Sequence, residues 1–174
     1  MSVQVGTGLP LRIEDLPEGD GPRTELVDGS LHVTPLAGPQ HQDLVFTTCA
    51  LLRAATPAQY RALPGANVLR RGSTDRLLIP DVVVVEATVL GEQSAYVDPS
   101  DVLLVVEVES PSTRSVDRVL KRELYAQWRV PGYWIVDPDV ETVTRLVLTA
   151  ERTYVEGAGP VPWLADVDTT ALFD

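Results

Sequence analysis

A chain of 174 residues, 44% hydrophobic and 22% charged, can bury one substantial core and is too apolar to be disordered. Its formal net charge of −11 weighs against a surface built to grip a nucleic-acid backbone, and no apolar run is long enough to cross a bilayer. Met1 to Leu9 lacks the basic start and apolar stretch of a secretory leader, so the expected location is cytoplasmic and no membrane partner is expected.

Residues 1–22 are rich in Gly, Pro and acid and read as an extended arm, with a short turn at Ile13 to Leu16. Residues 23–174 read as a single domain. Thr24 to Thr34 holds two β-prone runs around Asp28-Gly29, which predicts a hairpin. From Gln40 the pattern turns helical. Leu44, Val45, Thr48, Leu51 and Leu52 recur at three- and four-residue steps, and the helix stops near Pro57. The lone cysteine, Cys49, falls within this pattern and reads as buried filler.

Residues 57–66 read as an irregular link, and Ala66 to Arg71 as a strand. Ile79 to Glu86 and Val102 to Val108 are continuous β-branched runs, the pattern of strands buried on both faces. Ser112 or Thr113 caps a helix running to about Arg129, with Val116, Leu120, Leu124 and Trp128 inward. Tyr133 to Asp137, Thr142 to Leu148 and Thr153 to Val155 follow as strands, and Trp163-Leu164 as an anchor. The order predicts an α/β fold with a mixed sheet and a helix on each side.

Asp81 opens one buried strand, and Glu107 and Glu109 end the next. Residues two apart on a strand share a face, so the two glutamates project together. Unpaired burial of such groups is costly, and a hard cation such as Mg²⁺ would relieve it. The plainer reading is that both glutamates have reached solvent. Asp117 and Lys121 then share a helix face at i, i+4 spacing, where an exposed salt bridge is the ordinary outcome. Lys121 is the only lysine beside thirteen arginines. Its ammonium could stabilise negative charge developing on a phosphate or a water.

Asp81, followed twenty-six positions later by Glu107-Val108-Glu109, resembles the PD-(D/E)XK nuclease core. The longer pattern is Pro80-Asp81 before four valines, Val105 to Thr113, then Asp117, Lys121, Tyr125 and Tyr133 to Asp137. It resembles the Uma-two family, bacterial proteins predicted to be restriction endonucleases. Glu25 to Gly29 and His41 are similar to that family's N-terminal features, and the likeness runs from about residue 23 to 148.

The resemblance implies a restriction-endonuclease-like fold and metal-assisted phosphodiester hydrolysis. Asp81 and Glu107 would hold Mg²⁺ or Mn²⁺ with the Val108 carbonyl. The lysine expected two residues after Glu107 is replaced by Glu109, which would be a further ligand or a water-orienting base. Lys121 would substitute for that lysine. Glu25, His41 and Asp117 would be auxiliary groups. DNA is the expected partner, and a homodimer would suit cleavage of two strands.

Arg114, Arg118 and Arg122 form an i, i+4, i+8 stripe, either a solvated face or a phosphate contact. Arg70 and Arg71 could extend it. His32 reads as structural, and Trp128, Tyr133 and Trp134 as core or interface. The net charge and the displaced lysine favour a non-catalytic binding or scaffold protein. The set Asp81, Glu107 and Lys121 favours the nuclease.

Overall fold

The computed structural model describes residues 3–5, 11–16, 23–34, 37–91, 93–110 and 116–173, with backbone only for 3–5, 116 and 117. β1 (Val3–Val5) pairs with β3 (Ser30–Val33), which pairs with β2 (Thr24–Val27). Asp28 and Gly29 join β2 to β3 with φ of 49° and 80°. Two positive φ values are what a tight loop needs to follow the twist of the flanking strands.

α1 (Pro39–Ala55) begins on Pro39, whose fixed φ suits a first helical turn and whose missing N–H costs nothing there. It ends at Thr56, before Pro57. β4 (Tyr60–Pro64), β5 (Val68–Arg70) and β6 (Arg76–Leu78) follow, then β7 (Val82–Glu86) and β8 (Val102–Val108). A π-helical turn, Val116–Lys121, leads into α2 (Arg122–Gln127). β9 (Gly132–Asp137), β10 (Thr142–Leu148), β11 (Tyr154–Glu156) and α3 (Pro162–Ala165) complete the order.

The strands form two sheets, where one was expected. The smaller has the order β1-β3-β2-β6-β5 and the larger β11-β10-β9-β8-β7-β4. The hairpin belongs to the smaller sheet. The larger is mixed because β8 and β9 run parallel, while its other neighbours are antiparallel. Residues 57–66 are not an irregular link but hold β4. That strand lies at the sheet edge, where Pro64 removes no needed ladder bond. β7 starts at Val82, not Ile79, because Pro80 cannot donate to a ladder and the Ile79 amide bonds the Glu25 carboxylate.

Helices cover both faces of the larger sheet. Val82 and Val84 pack with Leu104, Val106, Trp134 and α1 residues Leu44, Cys49 and Leu52. Val83 and Val85 pack with Val105, Tyr133, Ile135 and α2 residues Leu124 and Tyr125. Burying each such valine contributes about 1.5–3 kcal/mol, which explains why a continuous apolar run is used here. Trp128, Tyr133 and Trp134 are core residues. In the smaller sheet Leu26, Leu69 and Leu77 pack on Ile13. Val27, Val68 and Leu78 point the other way, into the core beneath α2. Among the described residues no helix is long and apolar enough to cross a membrane.

Candidate active site

Strand register brings the two firm carboxylates together. Val82 lies opposite Val106 in the antiparallel β7–β8 pair, so one step back sets Asp81 across from Glu107. Both are buried, Glu107 to 1% exposure. Asp81 Oδ2 accepts the Val108 N–H at 2.8 Å, and its Oδ1 accepts Arg23 Nη1 at 2.6 Å. The other end of the same guanidinium, Nη2, lies 3.8 Å from Glu107 Oε2. His41 Nε2 is 3.0 Å from the Val108 carbonyl and 3.4 Å from Asp81 Oδ2.

Lys121 enters from the π-helical turn. Its Nζ is 3.0 Å from Glu107 Oε1 and 3.1 Å from Glu25 Oε1, and the lysine is itself buried. Tyr125 donates its hydroxyl to Glu107 Oε1 at 2.8 Å. Glu25 also accepts the Ile79 N–H at 2.9 Å. Glu25 therefore couples the smaller sheet to the lysine and to the segment leading into Asp81. Tyr125→Phe leaves the ring in place and removes one bond to a buried charge. It should destabilise the fold by about 1.5–3 kcal/mol in urea denaturation.

Burial would push the Asp81 carboxyl up. The His41 hydrogen bond and the Arg23 charge outweigh that effect and hold it well below the usual carboxylate range. His41 is raised, chiefly by its bond to Asp81 and against its own partial burial. Arg23 is disfavoured by burial, but Asp81, Glu107 and Glu25 together keep it protonated. Burial, then the Glu107 charge, pushes the Tyr125 phenol well above its ordinary value, so it stays a donor.

Glu109, expected as a further ligand or a water-orienting base, is paired with an arginine. Glu109 lies past the end of β8, and its N–H bonds the Val136 carbonyl at 2.8 Å, which aligns it with β9. Its carboxylate is clamped by Arg118, with Nε at 2.5 Å and Nη2 at 2.8 Å. The same Nη2 donates to Asp137 at 2.8 Å. The arginine stripe is also revised. A π-helical turn runs i→i+5, so a spacing of four no longer stacks side chains as in an α-helix. Arg118 is committed to Glu109 and Asp137, and Arg122 donates to the Tyr154 carbonyl at 2.6 Å. Arg114 and the Asp117 side chain lie outside the described residues, as do Ser112 and Thr113. Arg71 pairs with Glu14, and His32 sits opposite Glu25 in the hairpin.

Arg23, Tyr125 and Asp137 carry contacts that the residue pattern did not assign. Arg23 was legible in principle. Strand alternation puts residues 23, 25 and 27 on one face, so a Glu25 turned toward the site implies the same of Arg23.

Among the described residues no three His, Cys, Asp or Glu side chains gather as a metal-binding group. The donors that do converge are Asp81 and Glu107, both within reach of one guanidinium, with the Val108 carbonyl alongside. Two carboxylates and a carbonyl fit Mg²⁺, which takes few protein ligands and completes its shell with water.

Residues 11–167 match the family Uma2, described as "Putative restriction endonuclease". The chain belongs to the Uma2 family. One solved structure of this fold is titled as "a putative nuclease belonging to DUF820 from Anabaena variabilis ATCC 29413". It is 18% identical, covers 94% of this chain and 98% of its own, and superposes with a TM-score of 0.71. At that identity the likeness shows the fold this Uma2 chain shares. No curated protein matches the chain.

Proposed function

We propose that this Uma2 protein is a metal-dependent nuclease that hydrolyses phosphodiester bonds, with DNA as substrate. The observation that carries the reading is Lys121 Nζ at 3.0 Å from Glu107, the carboxylate that shares Arg23 with Asp81. Asp81, Glu107 and the Val108 carbonyl would hold Mg²⁺ or Mn²⁺. Such an ion acidifies a bound water and neutralises charge on the attacked phosphate. Lys121 would take the part of the superfamily's Glu-x-Lys lysine, reaching Glu107 from the helix instead of the strand. Its ammonium stabilises charge developing on the phosphate. Glu25 and Tyr125 are positioning residues: one holds Lys121, the other Glu107. His41 orients the Val108 carbonyl and the Asp81 carboxylate. Glu109 is a structural partner of Arg118, and a homodimer would supply a second site for the opposite strand.

The scaffold reading draws on two observations. The net charge is −11, and Arg23 and Lys121 are already engaged by the site's carboxylates. Purified protein with Mg²⁺ or Mn²⁺ should cleave at least one of supercoiled DNA, single-stranded DNA and RNA. Glu107→Gln should lower the rate by at least about 10²-fold, as loss of a positioned charged group does. Wild type that binds metal but cuts none of the three would leave the scaffold reading.

A further inference from the structure

Among the described residues two arginines bridge pairs of buried carboxylates, and they do so differently. Arg118 makes three hydrogen bonds of 2.5 to 2.8 Å to Glu109 and Asp137. Arg23 makes one, at 2.6 Å to Asp81, and its approach to Glu107 is 3.8 Å, beyond hydrogen-bond range. The Arg23 Nε is buried and finds no acceptor among the described residues. The first is a fork matched to its acceptors; the second fills a charge requirement without fitting the site.

The Arg23 side chain is 28% exposed, so it has a way out to solvent. Its backbone need not follow, because the Arg23 carbonyl is pinned by the Thr34 N–H at 2.9 Å.

We propose that Arg23 is a resident counter-cation of the Asp81–Glu107 pair and competes with divalent metal for it. This rests on the metal reading above and adds a requirement: metal enters only as the guanidinium leaves. Apparent metal affinity is then reduced by the fraction of molecules in which Arg23 holds the pair. An arginine that only stabilised the fold would not affect metal affinity.

The test is thermal unfolding of the full chain against Mn²⁺ concentration, for wild type, Arg23→Gln, Arg23→Lys and Asp81→Asn. A ligand that binds only the folded state raises the melting temperature. Arg23→Gln should melt lower than wild type without metal and respond at Mn²⁺ concentrations at least about 10-fold lower, in keeping with removal of a competitor. Saturating Mn²⁺ should close the gap to wild type. Arg23→Lys, which keeps the charge, should fall between and guards against poor folding of the glutamine variant. Asp81→Asn should not respond. If both Arg23 variants respond at the wild-type concentration or higher while Asp81→Asn is silent, metal binding stands and competition by Arg23 is overturned. If neither wild type nor the Arg23 variants respond, the metal reading fails and takes this inference with it.

Discussion

Lys121→Met should cost about 3–5 kcal/mol of stability, the usual result of removing one partner from a buried ionic cluster. Methionine matches the length of the lysine stem, so little packing is lost and the charge is isolated as the cause. Lys121 Nζ is the common partner of Glu25 at 3.1 Å and Glu107 at 3.0 Å, and all three residues are buried. Without it two buried carboxylates lose the cation they share. Arg23 is closer to Asp81, at 2.6 Å, than to Glu107, at 3.8 Å, and is a weaker partner for the glutamate than Lys121 at 3.0 Å. Thermal unfolding should show a drop of roughly 6–20 °C for a chain of this size. Lys121→Arg keeps the charge but replaces a point donor with a planar fork, and should fall between. A methionine variant as stable as wild type would show that the cluster contributes nothing to folding, and would remove the reason to read Lys121 as held in place.

Asp81→Asn has the next largest expected effect, about 3 kcal/mol near neutral pH, and its pH dependence is the sharper test. The Asp81 carboxyl is depressed below its ordinary 3.8, so its contribution is present above that value and fades as pH falls toward the folded-state value. His41 is raised above its ordinary 6.5, so its contribution is full below that value and fades as pH rises through the folded-state value. Wild type should therefore lead the variant most between those limits, with the gap closing on acidification and narrowing on the alkaline side. Melting curves of both proteins across that range would show it. A gap that does not change with pH would mean Asp81 acts through shape and not through charge.

Much of this site can be read from residue order. Four valines after Pro80-Asp81 and a second apolar run ending in Glu107 mark two buried strands, because short β-branched runs suit a strand covered on both faces. Asp28-Gly29 fixes the hairpin, and the spacing of Leu44, Thr48 and Leu52 fixes the first helix. What escaped was short or depended on pairing. β6 is three residues long, and β4 is an edge strand with only Ala62 buried, so neither carries a readable period. The placement of Glu109 is decided by which neighbour it faces. It shares a face with Glu107 along the strand, yet the parallel partner β9 offers Asp137 and the helix offers Arg118. Alternation along one strand cannot show which neighbouring strand claims a side chain. The π-helical turn escaped for a related reason: it moves Arg118 off the α-helical spacing without altering the residue pattern.

The site draws Arg23 and Glu25 from one sheet and Asp81 and Glu107 from the other, and this has a kinetic consequence. Its defining contacts join residues 58 positions apart for Arg23 and Asp81, and 54 apart for Glu25 and Ile79. Such contacts close large loops and form only after the entropy of closure has been met. β7 to β10 are contiguous in the chain and can find one another earlier. A folding chain can thus possess its larger sheet, with Asp81 and Glu107 already side by side, before Glu25 arrives to seat the lysine. The two carboxylates would then stand beside Lys121 while Arg23 and Glu25 had yet to arrive, and the site would reach its final arrangement with the docking of the hairpin, not with the formation of the central strands.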